Sequence, residues 1–287
     1  MMLIIERIRD AGESIVSATV NFHRDGCLDR ATVIAYFALL SFLPLSVFLV
    51  SIAALALGTD AAERGTEAFL QNLLYTLPPE VMNQVRSLRP QSWSGIGYVV
   101  LVVWTASKVF SKIESGLDHV FRVDARRPFP MRKLFAFTLV GLMSVLLVAT
   151  VVVEGVMSTI DRFIDTTALA PLKTLPLYQM LDTFVTRTVL PWGLTVVAFF
   201  VVYWLMPATS IPWRVALVGG LVAGTLWNLL KEGFTYYISH MASYTRTYGA
   251  LATLIVFLLW INLSASLLLW GGELAAVVGG MRPREQR

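Results

Sequence analysis

From Gly249 to Gly272 the chain runs GALATLIVFLLWINLSASLLLWGG, without one ionisable side chain, and only then meets Glu273. A segment so long and so apolar has few options. A helix rises about 1.5 Å per residue and the hydrocarbon core of a bilayer is about 30 Å thick, so about twenty apolar residues cross it. Inside that core every backbone N–H and C=O must be satisfied within the protein, which leaves helices or closed barrels. Comparable stretches begin near Ala31, Tyr98, Leu134, Thr188 and Trp213. The spacing therefore predicts an all-α polytopic membrane protein with six transmembrane helices and additional amphipathic interfacial helices. Composition agrees: 56% of residues are hydrophobic and 15% charged, against about a quarter charged in soluble domains.

At the N-terminus Ile4, Ile8, Ala11, Ile15, Ala18 and Phe22 recur at helical spacing, which predicts a cytoplasmic amphipathic helix within residues 1–30. It lies either on the membrane or on the protein's own cytoplasmic face. Glu6 and Arg7 interrupt its apolar run, so it is read as no cleavable signal, and the first span is expected to direct insertion. That span, Ala31 to Gly58, contains Pro44, expected to kink it, with Ser41 placed to satisfy a freed carbonyl. Residues 59–93 read as an outer loop with two short interfacial helices, the first ended by Pro78 and Pro79 and the second around Val81, Val85 and Leu88. The later spans cover Leu134–Val153, Thr188–Met206, Trp213–Tyr236 and Gly249–Glu273. Arginines and lysines at Arg24, Arg30, Arg122, Arg126, Arg127, Arg132, Lys133 and Arg214 fall in one set of loops and outnumber those of the other set. That asymmetry places both termini in the cytoplasm. No linker interrupts the chain, so 1–287 is read as a single integral membrane domain.

Ionisable residues within spans cost about 2.5–3.5 kcal/mol each on insertion scales and so ordinarily face protein or water. Counting along the helices gives two layers. Glu154, Arg187, Lys231 and Glu232 fall near the outer border, two acids and two bases; Lys108, Lys112, Glu114 and Glu273 fall near the inner one. Asn228 stands one turn from Lys231, and Asn262 lies near the middle of the last span. These groups are either interhelical glue or the lining of a polar groove that suits a charged head on an apolar body. Lys112 and Glu114 also fit a position beyond the lipid.

Trp104 and Lys108 in the second span are matched by Trp227 and Lys231 in the fifth, as an inverted repeat of three-span halves would arrange them. With eight tryptophans in the chain, coincidence is the simpler account. Internal prolines at Pro44 and Pro191 add little. Trp93, Trp192, Trp213, Tyr244 and Tyr248 read as interfacial anchors, Gly219, Gly220 and Gly224 as close helix contacts, and Gly271 with Gly272 as a loosened end of the last span. Cys27 is the only cysteine and there are three histidines, so neither a disulfide framework nor a metal site is expected. No P-loop is present, and no cofactor is expected.

Three stretches, AYFALLSFLPL from Ala35, WTASKVFSKIESGLDHVFRVDARR from Trp104 and YGALATLIVFLLWINLSASLLLWGGELAA from Tyr248, together resemble the YihY/BrkB family of bacterial inner-membrane proteins. The family's motifs fall on Tyr36, Ser41, Pro44, Trp104, Ser107, Lys108, Tyr248, Gly249, Gly271 and Glu273. The paired glycines before the acid, where the family has one, are a small departure. Members have carried ribonuclease and virulence-factor labels, neither of which implies a mechanism. A nuclease needs general acid and base groups or bound metal in solvent, whereas these cytoplasmic loops offer arginines and His119. The resemblance instead implies a non-enzymatic transporter or translocase of the inner membrane, acting on an amphipathic, anionic lipid-like molecule. Its partners would be membrane lipids, with no nucleic acid, and either a second copy or an envelope protein. The alternative is a non-transporting envelope scaffold.

Overall fold

A computed structural model describes residues 2–57, 96–123, 188–240 and 250–281. Among them all regular structure is helical. Six α-helices follow in order: α1 (Met2–Arg24), α2 (Cys27–Leu57), α3 (Ile96–Val120), α4 (Leu190–Leu205), α5 (Trp213–His240) and α6 (Ala250–Val278). The expected third span, the outer loop 59–93, Glu154, Arg187, Tyr244 and Tyr248 lie outside the described residues.

Helix ends follow local chemistry. α1 stops at Asp25 and Gly26; Gly26 takes φ +62°, and its N–H donates to the His23 carbonyl at 3.2 Å. Glycine adopts this left-handed conformation without a Cβ penalty. The break is so short that α2 starts at Cys27, earlier than the apolar run alone predicts. α6 ends at Gly280 (φ +70°), where the Gly280 N–H reaches the Val277 carbonyl at 3.0 Å and the Met281 N–H the Ala276 carbonyl at 2.9 Å. This double bond pattern is a Schellman cap. Gly271 therefore does not loosen the end of the helix, which runs on to Val278.

Pro191 sits in the first turn of α4, directly after two π-helical residues, 188–189, and Val189 before it is already in the right-handed helical conformation. Pro44 lies inside α2, whose helix is continuous from Cys27 to Leu57. Ser41 was expected to satisfy a freed carbonyl, but its hydroxyl donates to Ala38 at 2.9 Å, the local back-bond available to any helical serine.

The chain divides into two compact units. The first comprises Met1–Ala18, Phe121–Asn228 and Gly271–Arg287. Its core is a junction of α4, α5 and the end of α6 made possible by missing side chains. A Cβ on Gly220 would stand 2.8 Å from the Phe200 nitrogen, and one on Gly224 2.8 Å from the Val196 Cα. This Gly-x-x-x-Gly row lets the α5 and α4 backbones touch. One residue round the helix, a Cβ on Gly219 would meet Ala275 at 2.8 Å and the Tyr203 ring at 3.1 Å. The Trp192 indole N–H donates to the Thr225 hydroxyl at 3.0 Å, adding a polar tie between α4 and α5.

The second unit comprises Thr19–Val120 and Leu229–Trp270. α2 packs along α3, and Gly116 of α3 lies against Leu269 of α6 and Ile34 of α2. Phe42 stacks near Phe257 with centroids 4.7 Å apart, and Phe234 near Trp260 at 4.9 Å. Trp270 donates its indole N–H to the Thr19 hydroxyl at 3.1 Å.

Two helices, Trp213–Ile238 and Leu254–Val278, are long and apolar enough to cross a membrane, yet only 28% and 17% of their most apolar windows are buried within the protein. A core helix of a soluble protein would be mostly covered. Leu254, Ile255, Leu258 and Leu259 instead project outward, where hydrocarbon removes the cost of leaving such surface in water. Among the described residues the fold is all-helical, with two helices of membrane-spanning length and composition.

Candidate functional site

Charged side chains gather in two places, one in each unit. After α3 ends at Val120, the chain enters the first unit and turns through Phe121 and Arg122, whose φ of +57° is left-handed. A residue with a Cβ holds that conformation at a cost of about 1–2 kcal/mol. The turn delivers the Arg122 guanidinium to Glu273, with Nη2 donating to Oε2 at 2.8 Å; the two side chains are 8% and 0% exposed. Tyr203 is fully buried in the same unit, its ring 6.2 Å from that of Phe121. Gly271 makes room there: a Cβ on it would stand 2.5 Å from the Tyr203 hydroxyl and 2.6 Å from the Ala223 Cβ. The glycine and the acid of the Gly-x-Glu motif thus serve one junction, the glycine admitting Tyr203 and the acid holding Arg122.

In the second unit, α3 carries Trp104, Lys108, Lys112, Ser115 and His119 at spacings of three and four, hence on one helix face. The Lys108 ammonium lies 5.5 Å from the centroid of the Trp104 ring, and that of Lys112 lies 5.4 Å from the Phe37 ring of α2. A turn and more further on, Arg30 of α2 donates from Nη2 to His119 Nδ1 at 3.2 Å, while His119 Nε2 meets the Asp25 carbonyl at 3.2 Å. Guanidinium has only donors and a carbonyl only lone pairs, so Nδ1 accepts and Nε2 carries the proton. The histidine in this arrangement is neutral.

Lys108 stands twelve residues from either end of α3, about 18 Å from Val120. It belongs to the second unit and Glu273 to the first, each with its own partner. Trp104 and Lys108 are exposed, Ser107 is half-buried and Thr105 buried. Glu114 is buried. Of the expected outer cluster, Lys231 approaches Glu232 at 3.9 Å, but the Glu232 side chain is 77% exposed. Asn228 donates to the Gly224 carbonyl at 2.9 Å, a bond within its own helix. Asn262 donates to the Thr32 hydroxyl at 2.9 Å and so ties α6 to α2. Trp192 and Trp213 are exposed, as interfacial anchors are, and the Arg214 guanidinium lies 5.5 Å from the Trp213 ring.

Sequence reasoning took Arg122 for a topology signal and passed over Tyr203. A hydroxyl within the apolar run AFFVVYWL of α4 was the available sign, since a buried phenol ordinarily seeks a partner. Among the described residues no three His, Cys, Asp or Glu side chains come together as a metal site would need. The Arg122 guanidinium is committed to Glu273, whereas the exposed Lys108 ammonium is backed by an aromatic face.

A family model described as virulence factor BrkB matches residues 18–287. A UPF0761 membrane protein of Alkalilimnicola ehrlichii is 29% identical over 94% of this chain and 59% of its own length. One of Nitrosospira multiformis is 30% identical over 93% and 61%, and one of Pseudoalteromonas translucida 28% identical over 88% and 83%. The chain thus spans about three fifths of the length of the first two of these curated relatives. No solved structure matches it.

Proposed function

Because the chain belongs to the YihY/BrkB family of membrane proteins, we propose that it is a transporter or translocase for an amphipathic, anionic, lipid-like molecule. It acts as a multi-pass protein of the bacterial inner membrane, with six spans and both termini in the cytoplasm. Membrane lipids are its partners and it carries out no covalent chemistry. Transport is passive, driven by an ion gradient or energised by another protein.

The observation that carries this reading is Lys108, exposed at the midpoint of α3. A lysine within a span costs up to about 2.5–3.5 kcal/mol, and the contact with Trp104 returns about 0.5–2 kcal/mol. The shortfall is what a passing anionic head group would offset.

The test is reconstitution into liposomes carrying a labelled anionic lipid in one leaflet, with and without an imposed ion gradient. Wild-type protein is expected to speed exchange between leaflets, and Lys108→Ala to slow it. Equal exchange in protein-free and protein-containing liposomes under both conditions overturns translocation. The rival reading, an envelope scaffold, draws on Ile15, Val16 and Val20 of α1, which are exposed and fit a partner helix; Ala18 and Phe22 of the expected apolar stripe are buried, whereas its Ile15 is not.

A further inference from the structure

The geometry points to the open side of the α2–α3 seam as a docking site for a phosphate-bearing anionic phospholipid drawn from the surrounding bilayer. This deepens the transport reading and rests on its placement of α3 across the membrane. The residues of α2 that meet α3 are Arg30, Ile34 and Phe37, against His119, Gly116 and Lys112 respectively. On α2 the exposed Val33, Tyr36 and Leu40 lie roughly 100° round the helix from that contact line; on α3 the exposed Trp104, Lys108 and Ser115 lie about 70° from theirs. Three contacts that rise on one helix as they fall on the other make the pair antiparallel, so equal-signed offsets turn to the same side. The seam therefore has one apolar wall and one cationic wall, with Phe37 and Lys112, both half-exposed, between them.

Charge complementarity names the occupant. Among the described residues neither lysine has a carboxylate partner; each ammonium has an aromatic ring. The two stand one turn apart on a single face, a spacing that lets both reach one phosphate. Of the acids near this seam, Asp29 and Asp118 lie toward the Val120 end, a turn and a half or more from Lys112, and Glu114 is buried. With the Arg30 end of α2 on the cytoplasmic side, Val33 and Tyr36 flank the head group, and Leu40 marks where an acyl chain, which a free phosphate lacks, leaves toward the bilayer interior. Phosphate at the lysines and chain along α2 are the two halves of one lipid.

The test uses the full chain in nanodiscs of phosphatidylcholine with graded phosphatidylglycerol, reading lipid retained by native mass spectrometry and sites labelled by a photoactivatable phosphatidylglycerol. Retention of phosphatidylglycerol over phosphatidylcholine is expected, with labels on α2 around Val33–Leu40. Lys108→Gln and Lys112→Gln should each lower that preference about tenfold, as loss of a charged hydrogen bond does, while Lys108→Arg with Lys112→Arg should keep it. If the glutamine variants fail to fold, Leu40→Glu supplies the second arm: an acid in the apolar wall should abolish the preference. Equal retention of both lipids, an unchanged preference in the neutralised or Leu40→Glu proteins, or full displacement by soluble glycerol phosphate overturns the proposal. A nanodisc has no second compartment, so intact binding without leaflet exchange in liposomes overturns transport alone.

Discussion

Arg122 Nη2 and Glu273 Oε2 meet at 2.8 Å across 151 positions of sequence, with both side chains buried. Removing one partner of such a pair leaves an uncompensated buried charge, whereas reversing both keeps the balance. Arg122→Ala and Glu273→Ala are each expected to cost about 3–5 kcal/mol. The swap Arg122→Glu with Glu273→Arg should recover part of that. Thermal unfolding in detergent measures it; additive losses in the swap would show that the two side chains act independently.

Gly271 separates two kinds of close contact. Gly271→Ala would press on the Tyr203 hydroxyl at 2.5 Å and the Ala223 Cβ at 2.6 Å, an overpacking expected to cost about 1–3 kcal/mol. Since one obstacle is a side-chain oxygen, Tyr203→Phe should soften the effect, and the double variant should lose less than the sum. Gly220→Ala meets the Phe200 backbone, so trimming Phe200 should bring little relief. Unfolding midpoints of the four proteins and the two doubles test the contrast.

His119 is expected to be the Nε2–H tautomer, because Arg30 can only donate to Nδ1 and the Asp25 carbonyl can only accept. Nitrogen NMR of labelled protein near neutral pH should show Nδ1 as pyridine-like and Nε2 as pyrrole-like. Arg30→Met should release that preference. An Nδ1–H tautomer in the wild type would mean that the Arg30 contact is not formed.

Ile255 projects from the span Leu254–Val278. An arginine there is expected to oppose insertion, by less than the about 2.5–3.5 kcal/mol of a helix-centre position, visible as loss of protein from the membrane fraction. Ile255→Leu should be silent. Unchanged insertion of Ile255→Arg would argue that this face meets water or protein.

Much of the fold is legible in one dimension. The apolar run ending at Glu273 predicts α6, and the small residues of α5 predict close approach, because length, polarity and the absence of a Cβ are properties of the residues themselves. Gly26 and Gly280 set helix ends for the same reason: the cost of a left-handed turn is local. Periodicity also puts Trp104, Lys108 and Lys112 on one face before any packing is known. It says nothing about which neighbour that face meets. Whether Glu273 answers a lysine or Arg122, whether Ser41 serves the proline or its own turn, and which side of the α2–α3 seam stays open depend on how distant segments pack. Those pairings follow from shape and charge in three dimensions, and the tertiary structure decided them.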